Sequence, residues 1–130
     1  MLLPVVRVLC FLCLLGAVVA WAGGALAQSS ANPVPADAVS VARGQELYLQ
    51  SCAMCHGFQG RGDGPLARTI VPRPSDFRIH MAEGHTPEQL FDWVTNGVPE
   101  TAMPGYANEF SVEDRWHMIN FLQTFAPAVQ

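Results

Sequence analysis

Apolar positions fall along this chain in distinct patterns, and each predicts a different kind of segment. From Val8 to Ala27 the residues are apolar or small and carry no charge, with Arg7 the only charge before them. Near the other end, Trp116, Met118, Ile119, Phe121, Leu122 and Phe125 recur at three- and four-residue spacing, which predicts a helix with one buried face. Ser111 stands where it can cap that helix, and Pro127 ends it. Upstream, Thr86-Pro87-Glu88-Gln89 combines a capping threonine, a first-turn proline and a glutamine three residues after the cap. The helix it opens carries Leu90, Phe91, Trp93 and Val94 and stops at Asn96-Gly97. A further helix is expected to open at Ser40 and to place Gly44 and Tyr48 on one face. Between His56 and about Ile79, glycine and proline interrupt every apolar run, so a long loop is expected there. No segment alternates as a strand does, and the expected class is all-α.

The N-terminal apolar run changes the domain count. Ala25-Leu26-Ala27 is a small-x-small cleavage site, so residues 1–27 are expected to be a signal peptide. The alternative is an uncleaved anchor, since about 20 uncharged residues just span a bilayer. Either way the remainder is expected outside the cytosol, in the periplasm. Residues 28–38 are polar with two prolines and predict a linker, which leaves residues 39–127 as one domain. A domain so short is marginal without a disulfide, a metal or a cofactor to pack against.

Charge narrows the partners. The chain has seven basic residues, eleven acidic ones and a formal net charge of −4. Every basic residue is arginine. A lysine-free acidic surface argues against nucleic acid, anionic lipid, or docking through a lysine ring. Membrane contact is expected only if the N-terminal segment is retained.

Four cysteines form two pairs. Cys10 and Cys13 lie within the apolar leader and behave there as small hydrophobes. The other pair stands in Cys52-Ala53-Met54-Cys55-His56, a C-x-x-C-H signature for covalent haem attachment. Thiols three residues apart lie on one side of a helical turn, where each can reach a vinyl group of the same porphyrin. The histidine that follows is then carried under the ring as an iron ligand. A zinc site would need four ligands, and no second Cys/His pair stands at the required spacing. A thioredoxin-type pair would need a βαβ setting, and a plain disulfide leaves His56 unexplained.

Six residues are candidates for the second axial ligand: Met81, Met103, Met118, His80, His85 and His117. Met118 fits the core of the last helix, while His80, Met81 and His85 flank a helix cap and are expected to be solvated. Met103 stands in Thr101-Ala102-Met103-Pro104-Gly105, a short rigid turn whose small neighbours allow approach to a flat ring. A thioether is a soft ligand suited to haem iron, so Met103 is the expected partner of His56. Phe91 and Trp93 are expected to wall the haem pocket.

These residues bring the chain close to a known family. Over Val39 to Phe125 it resembles a class I cytochrome c, in which three to five helices wrap one covalently attached haem. Gly44, Tyr48 and Phe121 resemble the residues at which that family's first and last helices cross. Gly64-Pro65-Leu66 resembles its Gly-Pro-x-Leu segment, and the resemblance implies that the Pro65 carbonyl orients His56. Val94-x-x-Gly97 followed by Met103-Pro104 is similar to the family's approach to its axial methionine. The lack of lysine and the segment Val71-Pro72-Arg73-Pro74-Ser75-Asp76-Phe77 depart from the mitochondrial type. They look more like bacterial cytochrome domains of membrane redox complexes. Arg73 is a candidate partner for a haem propionate, against a solvated loop arginine.

With both axial positions filled, iron has no site for substrate, and the haem moves one electron. The expected function is therefore one-electron transfer, as a carrier or as a subunit of a respiratory or dehydrogenase complex, with redox proteins as partners and no catalysis of its own. The alternative is a peroxidase-like haem enzyme or gas sensor with an open sixth site.

Overall fold

The computed structural model describes residues 32–127, so the predicted leader, with Cys10 and Cys13, lies outside the described residues. Five α-helices follow in order: α1 (Ala38–Ser51), α2 (Ala53–His56), α3 (Phe77–Ala82), α4 (Pro87–Asn96) and α5 (Val112–Leu122). Short 3₁₀ turns occupy Ala67–Thr69 and Gln123–Phe125, and the described residues contain no strand.

Helix α1 starts three residues before the expected point, because Asp37 rather than Ser40 is its cap. The Asp37 carboxylate accepts from the Ser40 N–H at 2.8 Å. That frees the Ser40 side chain, which is buried and used elsewhere. Its hydroxyl lies 2.8 Å from His117 Nδ1 and accepts from Asn120 Nδ2 at 2.7 Å, both in α5. A polar pair buried between two helices costs little when each group is bonded in this way, and it fixes their register.

α1 and α5 make the main crossing. A Cβ added at Gly44 would lie 2.0 Å from the His117 carbonyl oxygen and 2.8 Å from Phe121 Cβ. Only hydrogen fits between the backbones there. One turn on, Tyr48 is fully buried and meets Phe121 with ring centroids 5.2 Å apart. Phe77 and Phe125 complete an aromatic cluster around Tyr48, with centroids 6.2 and 5.6 Å away. Leu47, Leu90, Val94, Trp116, Met118 and Ile119 extend this core, where Met118 takes the packing role expected of it.

The last part of the expected linker is docked. Asn32 donates to Asn120 Oδ1 at 2.6 Å, and Asn120 Nδ2 donates to the carbonyls of Val34 and Pro35 at 3.1 and 3.2 Å. Val34 packs on the core. The anchor is Asn120, a buried amide on α5 that also donates to Ser40 and so needs further partners for its remaining donor and its oxygen.

Helix α3 was not expected. Its cap is Asp76, which accepts from the Arg78 N–H at 3.0 Å and pairs with the Arg78 guanidinium. The helix is six residues long, too short to show a helical period, and it follows a proline-rich run that hides its start. By contrast, α4 has the expected capping box between Thr86 and Gln89 and ends at Gly97.

One ion pair ties the crossing from outside. Arg43 of α1 bonds Asp114 of α5 through Nε and Nη2, each at 2.9 Å. The guanidinium holds the Asp114 carboxyl below the usual carboxylate range, with the Ser111 hydroxyl assisting. The folded value lies below the unfolded one, so this contribution is complete above about pH 4 and fades as pH falls through the folded value. Asp114→Asn is expected to cost up to about 1 kcal/mol at pH 7 in urea unfolding, with the difference from wild type shrinking towards pH 3.

Candidate haem site

The segment Cys52-Ala53-Met54-Cys55-His56 begins where α1 ends. The Cys52 N–H closes α1 on the Tyr48 carbonyl at 2.8 Å, and the His56 N–H bonds the Cys52 carbonyl at 2.9 Å. Cys52 thus serves as last cap of one helix and first cap of the next, which turns the chain while keeping both thiols on α2's inner side. Both cysteines are free and line one cavity with His56, so the structure has no disulfide here. Burial, with Cys55 adding to it, pushes the Cys52 thiol up to about 12.

His56 is mostly enclosed, and burial lowers its imidazole from the ordinary histidine value, partly offset by a hydrogen bond to Ser75. That bond runs from Nδ1 to the Ser75 carbonyl at 3.2 Å. A carbonyl can only accept, so Nδ1 carries the proton and Nε2 is left with its lone pair. Phe77 stacks on the face of the ring, its centroid 4.5 Å from that of the imidazole at 21°. The imidazole is therefore neutral, oriented and clamped, as an iron ligand requires.

This arrangement corrects the role expected of Pro65. The acceptor is Ser75, and Pro65 is exposed on the wall of a separate surface depression with Phe58, Asp63 and Arg68. The Gly64-Pro65-Leu66 segment instead runs behind α2: the Gly64 N–H bonds the Cys55 carbonyl and the Leu66 N–H bonds the Met54 carbonyl. A Cβ at Gly64 would lie 2.4 Å from the Met54 oxygen, so the glycine serves close backbone packing.

The cavity is a cleft of about 220 Å³ that opens to solvent. One wall is Ser51, Cys52, Cys55 and His56; the others come from Ile70 to Ser75 and from Val98 to Tyr106. Met103 lines it, half-buried, and Arg73 lies at its exposed rim. The Met103 turn is pressed onto the end of α4. A Cβ at Gly97 would meet the Met103 carbonyl oxygen at 2.7 Å, and one at Gly105 would meet the Asn96 carbonyl carbon at 2.6 Å. The Met103 N–H also bonds the Thr101 hydroxyl at 3.1 Å. The turn is thereby held from both sides.

Phe91 and Trp93 do not line this cavity. Phe91 stacks on Trp116 at 4.0 Å beneath the Arg115 guanidinium, and Trp93 meets the rings of His80 and His85. The aromatic wall is Tyr106, which sequence reasoning passed over. Its N–H bonds the Val94 carbonyl at 2.9 Å, and its hydroxyl donates to the Ser51 carbonyl at 3.3 Å, next to Cys52. Burial raises its phenol to about 12, with the two cysteines contributing. Its only signal in the sequence was an aromatic placed three residues after Met103. Phe77 and Ser75 were likewise missed, hidden in a run with no periodicity. The other alternative ligands stay outside the cavity: Met81 packs on the core, and His80 and His85 are half-buried against Trp93 rather than solvated.

A haem fits what is present. Cys52 and Cys55 offer two thiols for the porphyrin's vinyl groups in the same cleft as the His56 lone pair and the Met103 thioether, a borderline and a soft donor that suit haem iron.

Known proteins agree. The Paracoccus denitrificans cytochrome c55X is 33% identical over 91 residues, covering 69% of this chain and 80% of that protein. A subunit structure from the Kuenenia stuttgartiensis reducing HAO-like protein complex Kustc0457/Kustc0458 superposes with a TM-score of 0.67 at 28% identity. It covers 73% of this chain, which spans about half (47%) of that larger one. The c-type cytochrome NirC superposes at 0.50 with 29% identity, covering 70% of this chain and 99% of NirC. Residues 39–122 match the family described as cytochrome c oxidase, cbb3-type, subunit III, and the chain belongs to this family of electron-transferring c-type cytochromes, whose cofactor is covalently bound haem c.

Proposed function

We propose that this protein is a mono-haem, one-electron carrier or electron-transfer subunit working in the periplasm, with His56 and Met103 as axial ligands. The observation that carries this is the single cleft in which Cys52, Cys55, His56 and Met103 all meet. Cys52 and Cys55 would form the thioethers, and His56 Nε2 and Met103 Sδ would hold the iron. Bound haem supplies a one-electron couple; the chain's own residues supply burial and ligand orientation. Arg73 at the rim is the candidate for pairing with a propionate. The donor and acceptor are redox proteins, and the protein catalyses no reaction of its own. Export rests on the N-terminal signal; no helix among the described residues is long and apolar enough to cross a membrane. A place within a larger redox complex is supported by the likeness to a subunit of the HAO-like complex.

The test is attachment and closure together. Cys52→Ala and Cys55→Ala, co-expressed with a haem-attachment system, are each expected to lower covalent haem severely on a haem-stained denaturing gel. The ferrous wild type is expected to titrate as one electron and to leave carbon monoxide unbound. Normal haem content in both cysteine variants, or rapid carbon monoxide binding by wild type, would overturn the proposal.

A further inference from the structure

Away from the haem cleft, the turn between α3 and α4 gathers three donor atoms that nothing in electron transfer requires. Glu83 Oε2 lies 3.7 Å from His80 Nδ1 and 3.4 Å from His85 Nε2, and all three atoms lie within 4.8 Å of one another. Ligands in a tetrahedral zinc site, about 2.1 Å from the metal, are about 3.4 Å apart. The cluster therefore needs only a small contraction to hold an ion.

Three features of the turn bring the donors together. His80 and Glu83 are three residues apart at the end of α3, hence neighbours on its surface. Gly84 has φ +82°, a left-handed conformation that reverses the chain and returns His85 towards His80. Trp93 of α4 then holds both imidazoles edge-on, with centroids 5.9 and 5.0 Å from its own. The two imidazole centroids are 5.0 Å apart.

The donors converge without bonding one another. At 3.7 Å the His80 to Glu83 approach is too long for a hydrogen bond, and His80 Nδ1 is a buried nitrogen with no partner. Buried polar atoms without partners are uncommon and call for an explanation. A cation supplies one.

We propose that His80 Nδ1, Glu83 Oε2 and His85 Nε2 form a binding site for a divalent ion of the zinc class, with water completing the coordination. Two imidazoles and one carboxylate select zinc, copper or nickel over calcium or magnesium, which want oxygen ligands. The site is distinct from the haem cleft, since none of the three residues lines it. It fastens the turn after α3, the helix whose first residue, Phe77, stacks on His56.

The test uses the ferrous holoprotein, which is diamagnetic when both axial positions are filled, and Zn(II) alone as probe. Isothermal titration is expected to show one equivalent bound. Glu83→Gln is exposed and conservative. His80→Ala, His85→Ala and Glu83→Gln should each weaken binding by at least about tenfold, since even outer partners of a metal ligand commonly matter that much. Direct evidence needs no variant: zinc should shift the ring resonances of His80 and His85 together and leave His117 in place. Absence of binding, affinity unchanged in Glu83→Gln, or zinc-induced shifts elsewhere would each overturn the site. Magnesium at the same concentration should shift neither ring; equal response to magnesium would also overturn it.

Discussion

Gly44→Ala is expected to destabilise the holoprotein by about 3 kcal/mol or more, read as a lower urea midpoint and a lower Tm. Intrinsic propensity argues the other way, since alanine is better than glycine inside a helix by about 1 kcal/mol. The outcome turns on which effect is larger. The added Cβ would stand 2.0 Å from the His117 carbonyl oxygen and 2.8 Å from Phe121 Cβ. Neither neighbour is the free end of a side chain, so the helices must separate. Overpacking costs typically about 1–3 kcal/mol and more when backbone has to move. Separation would also loosen the Tyr48–Phe121 contact and the bonds from Ser40 to His117 and Asn120. Against a total stability of about 5–15 kcal/mol, such a loss threatens folding itself. A midpoint equal to or above wild type would show that α1 and α5 do not approach this closely.

The second large effect concerns the iron. Met103→Ala is expected to keep covalent haem, because Cys52, Cys55 and His56 are untouched. It should abolish the charge-transfer absorption of a thioether-iron bond and open the ferrous haem to carbon monoxide. The reduction potential should fall by roughly 0.1–0.3 V, a fraction of the roughly 0.8 V range that axial ligation spans. The sign follows from the thioether, which favours ferrous iron over ferric. Met103→Leu separates ligation from packing: it fills the same space without sulfur and should behave like alanine in spectrum and potential. If both variants keep wild-type absorption and exclude carbon monoxide, Met103 is not the ligand and the sixth position must be closed by another group.

Much of this site follows from local order along the chain. Cys52, Cys55 and His56 sit on one helical turn, and a motif that short keeps its geometry wherever the fold puts it. The caps at Thr86 and Ser111, and the apolar spacing after Trp116, are likewise contained within a few residues. They locate α4 and the start of α5 to the residue, while the α-helical part of α5 ends at Leu122 and a 3₁₀ turn continues it to Phe125. Fold class follows from the same information, because helical periodicity is written in near neighbours.

What the chain order could not supply is the choice among equivalent neighbours. Either Asp37 or Ser40 can cap α1, and Asp37 does so because Ser40 is needed by His117 and Asn120, about 80 positions away. Several carbonyls precede α3 in sequence, and only the fold shows that Ser75 reaches His56 while Pro65 passes behind α2. Phe91 and Trp93 share a helix, yet Phe91 packs on Trp116 and Trp93 on His80 and His85, and Tyr106 lines the cleft instead. The reason is common to all three. A covalent motif or a cap is fixed by bonds and turns spanning a few residues, whereas a hydrogen-bond acceptor or a pocket wall is selected by packing between segments. C-x-x-C-H was legible as a haem motif from its five residues; the partner that steers its histidine existed only once the loop had folded over it.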